Sequence, residues 1–177
     1  MARTRYHIVD NHSPYFLTAT VVNWIPLLSS PIVQQMLLDS LRFLQEQERL
    51  VLYAYVILEN HLHLVASAAD LSKEIGDFKS YTARQIIDYY ERVQAQNILK
   101  QLAFHKKLYK QDRDYQLWQE GAHPQRIQGI AMMRQKVEYI HNNPVQRGWV
   151  DTPTDWRLSS ARNYIGKAGV LAVQTQW

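Results

Sequence analysis

Two short segments carry residue types that can do chemistry together. The first is His61-Leu62-His63. On a strand, side chains two residues apart share a face, so both imidazoles project to one side and Leu62 to the other. Two neighbouring neutral imidazoles make half of a divalent-metal site and leave positions open for a substrate oxygen. The second is Tyr139-Ile140-His141-Asn142-Asn143-Pro144. Residues four apart stack on one face of a helix, which puts the Tyr139 phenol beside the Asn143 amide. Met133, Val137 and Ile140 mark the buried side of that helix. Tyr139, Lys136 and Asn143 lie roughly a third of a turn away, at the edge of the core. The Asn143 carbonyl oxygen is a candidate third metal donor. Taken singly, each segment has a plain structural explanation. His-x-His arises by chance, a tyrosine bordering a helix core is usually packing, and asparagine before proline commonly ends a helix.

The elements that must position these groups are legible from periodicity. Residues 15–22 are aromatic and β-branched and follow Pro14, which reads as a strand. After Pro31, the residues Val33, Met36, Leu37, Ser40, Leu41 and Leu44 recur at helical steps, with a polar end at 45–49. Residues 50–58 are a nearly unbroken apolar run, too short for a typical helix, and read as a buried strand. Glu59-Asn60 is the turn, and 61–66 the strand that returns from it. A second helix is expected over 71–93, with Ile75, Phe78, Ile86 and Tyr90 inward. A short strand over 115–118, a loop at 121–124 and a last helix over 125–142, stopped by Pro144, complete the chain. This order predicts one α+β domain over 1–177. Its form is a ferredoxin-like split βαβ antiparallel sheet with helices on one face and Tyr139 on a C-terminal helix.

Composition narrows the function classes. Lys and Arg number 20 against 16 Asp and Glu, a formal charge of +4 that leans toward a polyanionic partner. With no cysteine, a disulfide framework and a thiolate zinc site are both excluded. Residues 1–7 are basic but lack the apolar run of a signal peptide, and 50–58 is too short to cross a bilayer. The expectation is a cytoplasmic protein with no membrane partner.

Together, the motifs point further than either does alone. Glu59-Asn-His-Leu-His-Leu64, followed by Val137-Glu-Tyr-Ile-His-Asn-Asn-Pro-Val145, resembles the single-tyrosine HUH transposases, and among them the REP-associated tyrosine transposase branch. Leu117-Trp-Gln-Glu-Gly121 and Trp156-Arg-Leu-Ser-Ser-Ala-Arg-Asn-Tyr164 are also similar to that branch, so the resemblance spans residues 15–164. It implies a transposase that cuts and rejoins single-stranded or hairpin DNA through a 5′-phosphotyrosine. Tyr139 would be the nucleophile, on a metal held by His61, His63 and Asn143. Mg²⁺ or Mn²⁺ is expected from the family, although the donor set would also accept Zn²⁺. The branch implies a monomer, and other single-tyrosine relatives a homodimer.

Lys79, Tyr81 and Arg84, with Lys106, Lys107, Tyr109 and Lys110 in the basic segment 99–113, mix cations with aromatics. Such mixtures suit a DNA phosphate track with stacking platforms. Lys136, one turn before Tyr139, would add positive field at the phenol. The plain alternative for the outlying cations is a solvated charged surface. Two other functions fit the same residues: a non-catalytic module binding single-stranded nucleic acid, and a metal-dependent hydrolase using activated water.

Overall fold

The pleat of one strand organises the molecule. The computed structural model describes residues 8, 13–108 and 113–177; Tyr109 and Lys110 lie outside them, as do residues 1–7. The central strand β3, His61–Ser67, sends Leu62, Leu64 and Ala66 into one apolar cluster and Val65 into another on the opposite side. His61 and His63 alternate with the leucines and so face the second side. Strand β1, Tyr15–Thr20, runs antiparallel to β3, with Thr18 opposite His63 and Thr20 opposite His61. Strand β2, Val51–Ile57, pairs with the other edge of β3. A register shift between Leu52 and Ala54 changes the phase of β2, so that Leu52 and Tyr55 share the larger cluster although they are three residues apart.

The sheet order is β2-β3-β1-β4, antiparallel throughout, where β4 is Gln125–Arg126 paired to Tyr15 and Phe16. That is the expected split βαβ topology. Helix α1, Pro31–Glu46, opens with proline where no backbone donor is needed. Helix α2, Leu71–Arg92, is capped by the Asp70 carboxylate, which accepts from the Lys73 amide at 3.0 Å. With α3, Gln96–Phe104, these helices build the larger cluster around Leu37, Leu41, Phe78, Ile86 and Leu102. Helix α4, Gly129–Gln146, instead sets Met133, Val137 and Ile140 against Phe16, Ala54, Val56 and Val65.

Three details depart from the expectation. The helices do not all lie on one face: α4 covers the side opposite α1–α3, because its apolar stripe meets Phe16 of β1, Ala54 and Val56 of β2 and Val65 of β3. The fourth strand is at 125–126, not 115–118. Residues 117–122 do run beside β1, bonding to Thr18, Thr20 and Val22, and Trp118 bridges Val21. Left-handed backbone at Gly121 and His123 breaks that ladder before it becomes regular. Finally, Pro144 lies inside α4. It removes the donor that would reach the Ile140 carbonyl, but so near the end that the helix continues to Gln146, with Gly148 in the left-handed region just beyond.

Candidate functional site

The histidine face of β3 is buried under aromatic rings. His61 is 3% exposed and His63 5%. Phe16 stacks on His63 with centroids 5.2 Å apart, and the two imidazoles meet each other edge-on at 4.9 Å. Each ring has one nitrogen tied to the protein. His61 Nδ1 lies 2.7 Å from Asn60 Oδ1, and Asn60 Nδ2 in turn donates to the Trp24 carbonyl at 3.2 Å. Since the amide oxygen only accepts, His61 Nδ1 carries the proton and Nε2 keeps its lone pair. His63 Nδ1 lies 2.8 Å from the Thr18 hydroxyl across the β1–β3 pair. Its Nε2 is buried with no hydrogen-bond partner.

That arrangement is the one a pair of metal-binding histidines would need. Histidines that bind metal use one nitrogen for the cation and anchor the other to a neighbour. Burial pulls the His61 pKa down to about 4, with the Arg147 charge adding to it. His63 falls to about 3, from burial first, then the charges of His61, Arg147 and Lys136. Both imidazoles are therefore neutral at pH 7, the form that ligates. Among the described residues, His61 and His63 belong to no group of three or more His, Cys, Asp or Glu that could hold a metal. Among the described residues, a third donor to these two rings would have to be of another type.

Helix α4 brings Tyr139 and the Asn143 amide to this face. The Tyr139 ring lies 5.4 Å from the His63 ring and 5.7 Å from Phe16, while 42% of the residue stays open to solvent. Asn143, one turn on, is buried, and its Oδ1 accepts from Arg147 Nε at 3.0 Å. A carbonyl oxygen has two lone pairs, so that bond leaves one for a cation. Arg147 also pairs with Glu59 Oε1 at 3.0 Å, and Glu59 Oε2 is a second buried atom without a partner. Lys136 lies 4.6 Å over the Phe16 ring and donates to Gln125 Oε1 at 2.6 Å. Desolvation lowers its pKa.

By sequence, no family model and no curated protein matches the chain. By structure, it is similar to a REP-associated tyrosine transposase solved with a bound REP hairpin. The TM-score is 0.69 at 20% identity, over 99% of this chain and 94% of that one. The fold of this chain is that transposase fold. In it, β3 carries the histidine pair and α4 carries Tyr139 across the same face.

The outlying cations belong to the other side of the sheet. Lys79 donates to the Gln119 and Gly121 carbonyls, fastening α2 to the segment beside β1. Lys79 and Arg84 line a cavity of about 870 Å³ between α2 and residues 113–124. Tyr81 is exposed on α2, Lys106 bonds the Arg113 carbonyl, and the Lys107 amide donates to Gln116. Of the expected DNA contacts that lie among the described residues, only Lys136 stands beside the histidine pair. Sequence reasoning missed Trp24, Arg147 and the pairing role of Glu59. Glu59 was legible only as a turn residue, and Arg147 only as a cation one turn past Asn143. No helix among the described residues is long and apolar enough to cross a membrane.

Proposed function

We propose that this chain cleaves and rejoins single DNA strands as a transposase, with Tyr139 as nucleophile and Mg²⁺ or Mn²⁺ held by His61, His63 and Asn143. The observation that carries the reading is the meeting of the Tyr139 and His63 rings at 5.4 Å, beside a buried ring nitrogen with no partner. The likeness to a transposase bound to a REP hairpin supports hairpin or single-stranded DNA as the substrate.

A phenol with a free pKa of about 10 is a weak nucleophile at neutral pH, and the phosphate repels any anion that approaches it. The Lys136 ammonium, over the ring of Phe16 that also meets Tyr139, would offset part of the phosphate's charge. When bound, the cation supplies polarisation of a phosphate oxygen and of the departing 3′ oxygen. Tyr139 Oη attacks phosphorus in line. The Oη–P bond forms as the P–O3′ bond breaks, and the phenol proton passes through solvent to the 3′ oxygen. A 5′-phosphotyrosine and a free 3′-OH result. One ester has replaced another, so a second 3′-OH can run the step backward on a new strand.

The test is a labelled hairpin oligonucleotide with single-stranded flanks, incubated with the protein in Mg²⁺ or Mn²⁺. A covalent adduct that survives denaturant is expected, and both Tyr139→Phe and His61→Ala should abolish it. Cleavage with a released 5′-phosphate and no adduct would mean a hydrolase. Binding without cleavage, unchanged in Tyr139→Phe, would mean a binding module.

A further inference from the structure

Next to His61 stands a tryptophan that the packing of the fold does not account for. Trp24 is 56% exposed, although indole is among the side chains that gain most from burial. Its ring contacts the His61 ring edge-on at 5.6 Å. Its backbone is in the left-handed region, φ 56°, and so is that of its neighbour Asn23, φ 51°. Neither residue is glycine, and a bulky side chain is disfavoured there, so the surrounding structure must impose the conformation.

The imposing contacts are visible. The Trp24 carbonyl accepts from Asn60 Nδ2, while Asn60 Oδ1 holds His61 Nδ1. The Val21 amide bonds the Asn60 carbonyl, and the Leu28 amide bonds that of Glu59. One hairpin loop thus fixes the tautomer of His61 and the position of Trp24 together. An open aromatic face on a strained, well-fastened turn is poor use of apolar surface unless something flat lies against it. A nucleobase is flat, and stacking on aromatics tolerates any base.

We propose that Trp24 is a base-stacking platform, its exposed indole receiving the nucleobase next to the phosphate held at His61, His63 and Tyr139. This rests on the reading of the site as one that binds a single DNA strand. Stacking there would fix the strand along the histidine face while the phosphate meets the phenol. The chemistry needed is a π-face, so tyrosine should substitute where alanine does not.

The experiment measures the affinity of labelled oligothymidylate, and of an equally long strand made of abasic sites, in Mg²⁺. The full chain carries Tyr139→Phe to prevent cutting. Trp24→Ala should weaken oligothymidylate binding about tenfold or more, and Trp24→Tyr should keep most of the affinity. On the abasic strand, which has the phosphates but no bases, Trp24→Ala should change nothing. Trp24→Gly relieves the left-handed backbone. It should melt no lower than its parent and still lose the preference for bases, which a merely structural tryptophan would not do. Unchanged oligothymidylate binding in Trp24→Ala, or an equal loss on both strands, would overturn the proposal. A parent that binds both strands equally refutes stacking and leaves the DNA-binding reading standing. A parent that binds neither, with no adduct from the unmutated protein, removes both.

Discussion

The two faces of one sheet are built to different ends. On the α1–α3 side, β3 contributes Leu62, Leu64 and Ala66 to a large apolar cluster, and the polar side chains buried on the helices there include Thr82, bonded to the Phe78 carbonyl, and Glu74, paired with Arg49. On the α4 side the same strand contributes His61, His63 and Val65. The apolar cluster there is small, and beside it lie buried polar groups: Thr20, Asn143, His141 and the unpartnered His63 Nε2. Burying an unsatisfied ring nitrogen is unfavourable by about 1–3 kcal/mol, and stability alone would not retain it. The comparison teaches that the first face holds the fold while the second spends some of that stability on poised donors.

Two adjacent substitutions break the comparison most sharply. His63→Leu should reduce divalent-metal binding and adduct formation below detection while the melting temperature stays at or above the parent's, because an apolar side chain replaces an unsatisfied one. Calorimetric titration with Mn²⁺ and a thermal melt measure the two effects, and a marked drop in melting temperature would show that the histidine face is structural too. Leu64→Ala, one residue on, should do the reverse. Deleting a fully buried leucine is expected to destabilise by about 2–5 kcal/mol in urea unfolding, with the remaining folded protein binding metal normally.

Glu59→Gln sharpens the electrostatic side. Glu59 neutralises Arg147, whose charge already reaches both imidazoles. Without that carboxylate the guanidinium repels a cation, and Mn²⁺ affinity should weaken about 10–100-fold, the range for outer-shell partners. Unaltered affinity would separate the Glu59–Arg147 pair from the site.

The gentlest effect is one of pH. His61 and His141 are held at about 4, and His63 at about 3, all below the ordinary value of 6.5 and all mainly by burial. Below pH 6.5 the unfolded chain takes up protons that the folded one refuses. The stability is complete above 6.5 and is lost as pH falls through the window toward 4 and 3. The loss is at most about 1.4 kcal/mol per imidazole per pH unit. Melting temperature should fall from pH 6.5 to 4.5, less steeply in His63→Leu. An identical slope in that variant would contradict the burial of His63.

What the sequence determined by itself is what strict local periods encode. Alternation put His61 and His63 on one side of a strand, and the four-residue helical step put Tyr139 over Asn143, because a strand repeats in two residues and a helix in 3.6. The hairpin, α1 and α2 were legible for the same reason, and so was the sheet class from the order of elements. Only tertiary structure decided which face α4 covers, since an apolar stripe says that a helix is buried and not against what. β4 was illegible because two residues carry no period, and their pairing is set by Tyr15 and Phe16 far away in the chain. Pro144 was misread as a stop because its cost depends on how much helix follows. Arg147 and Trp24 became part of the site through contacts with Asn143, Glu59 and Asn60 that only a folded chain brings together.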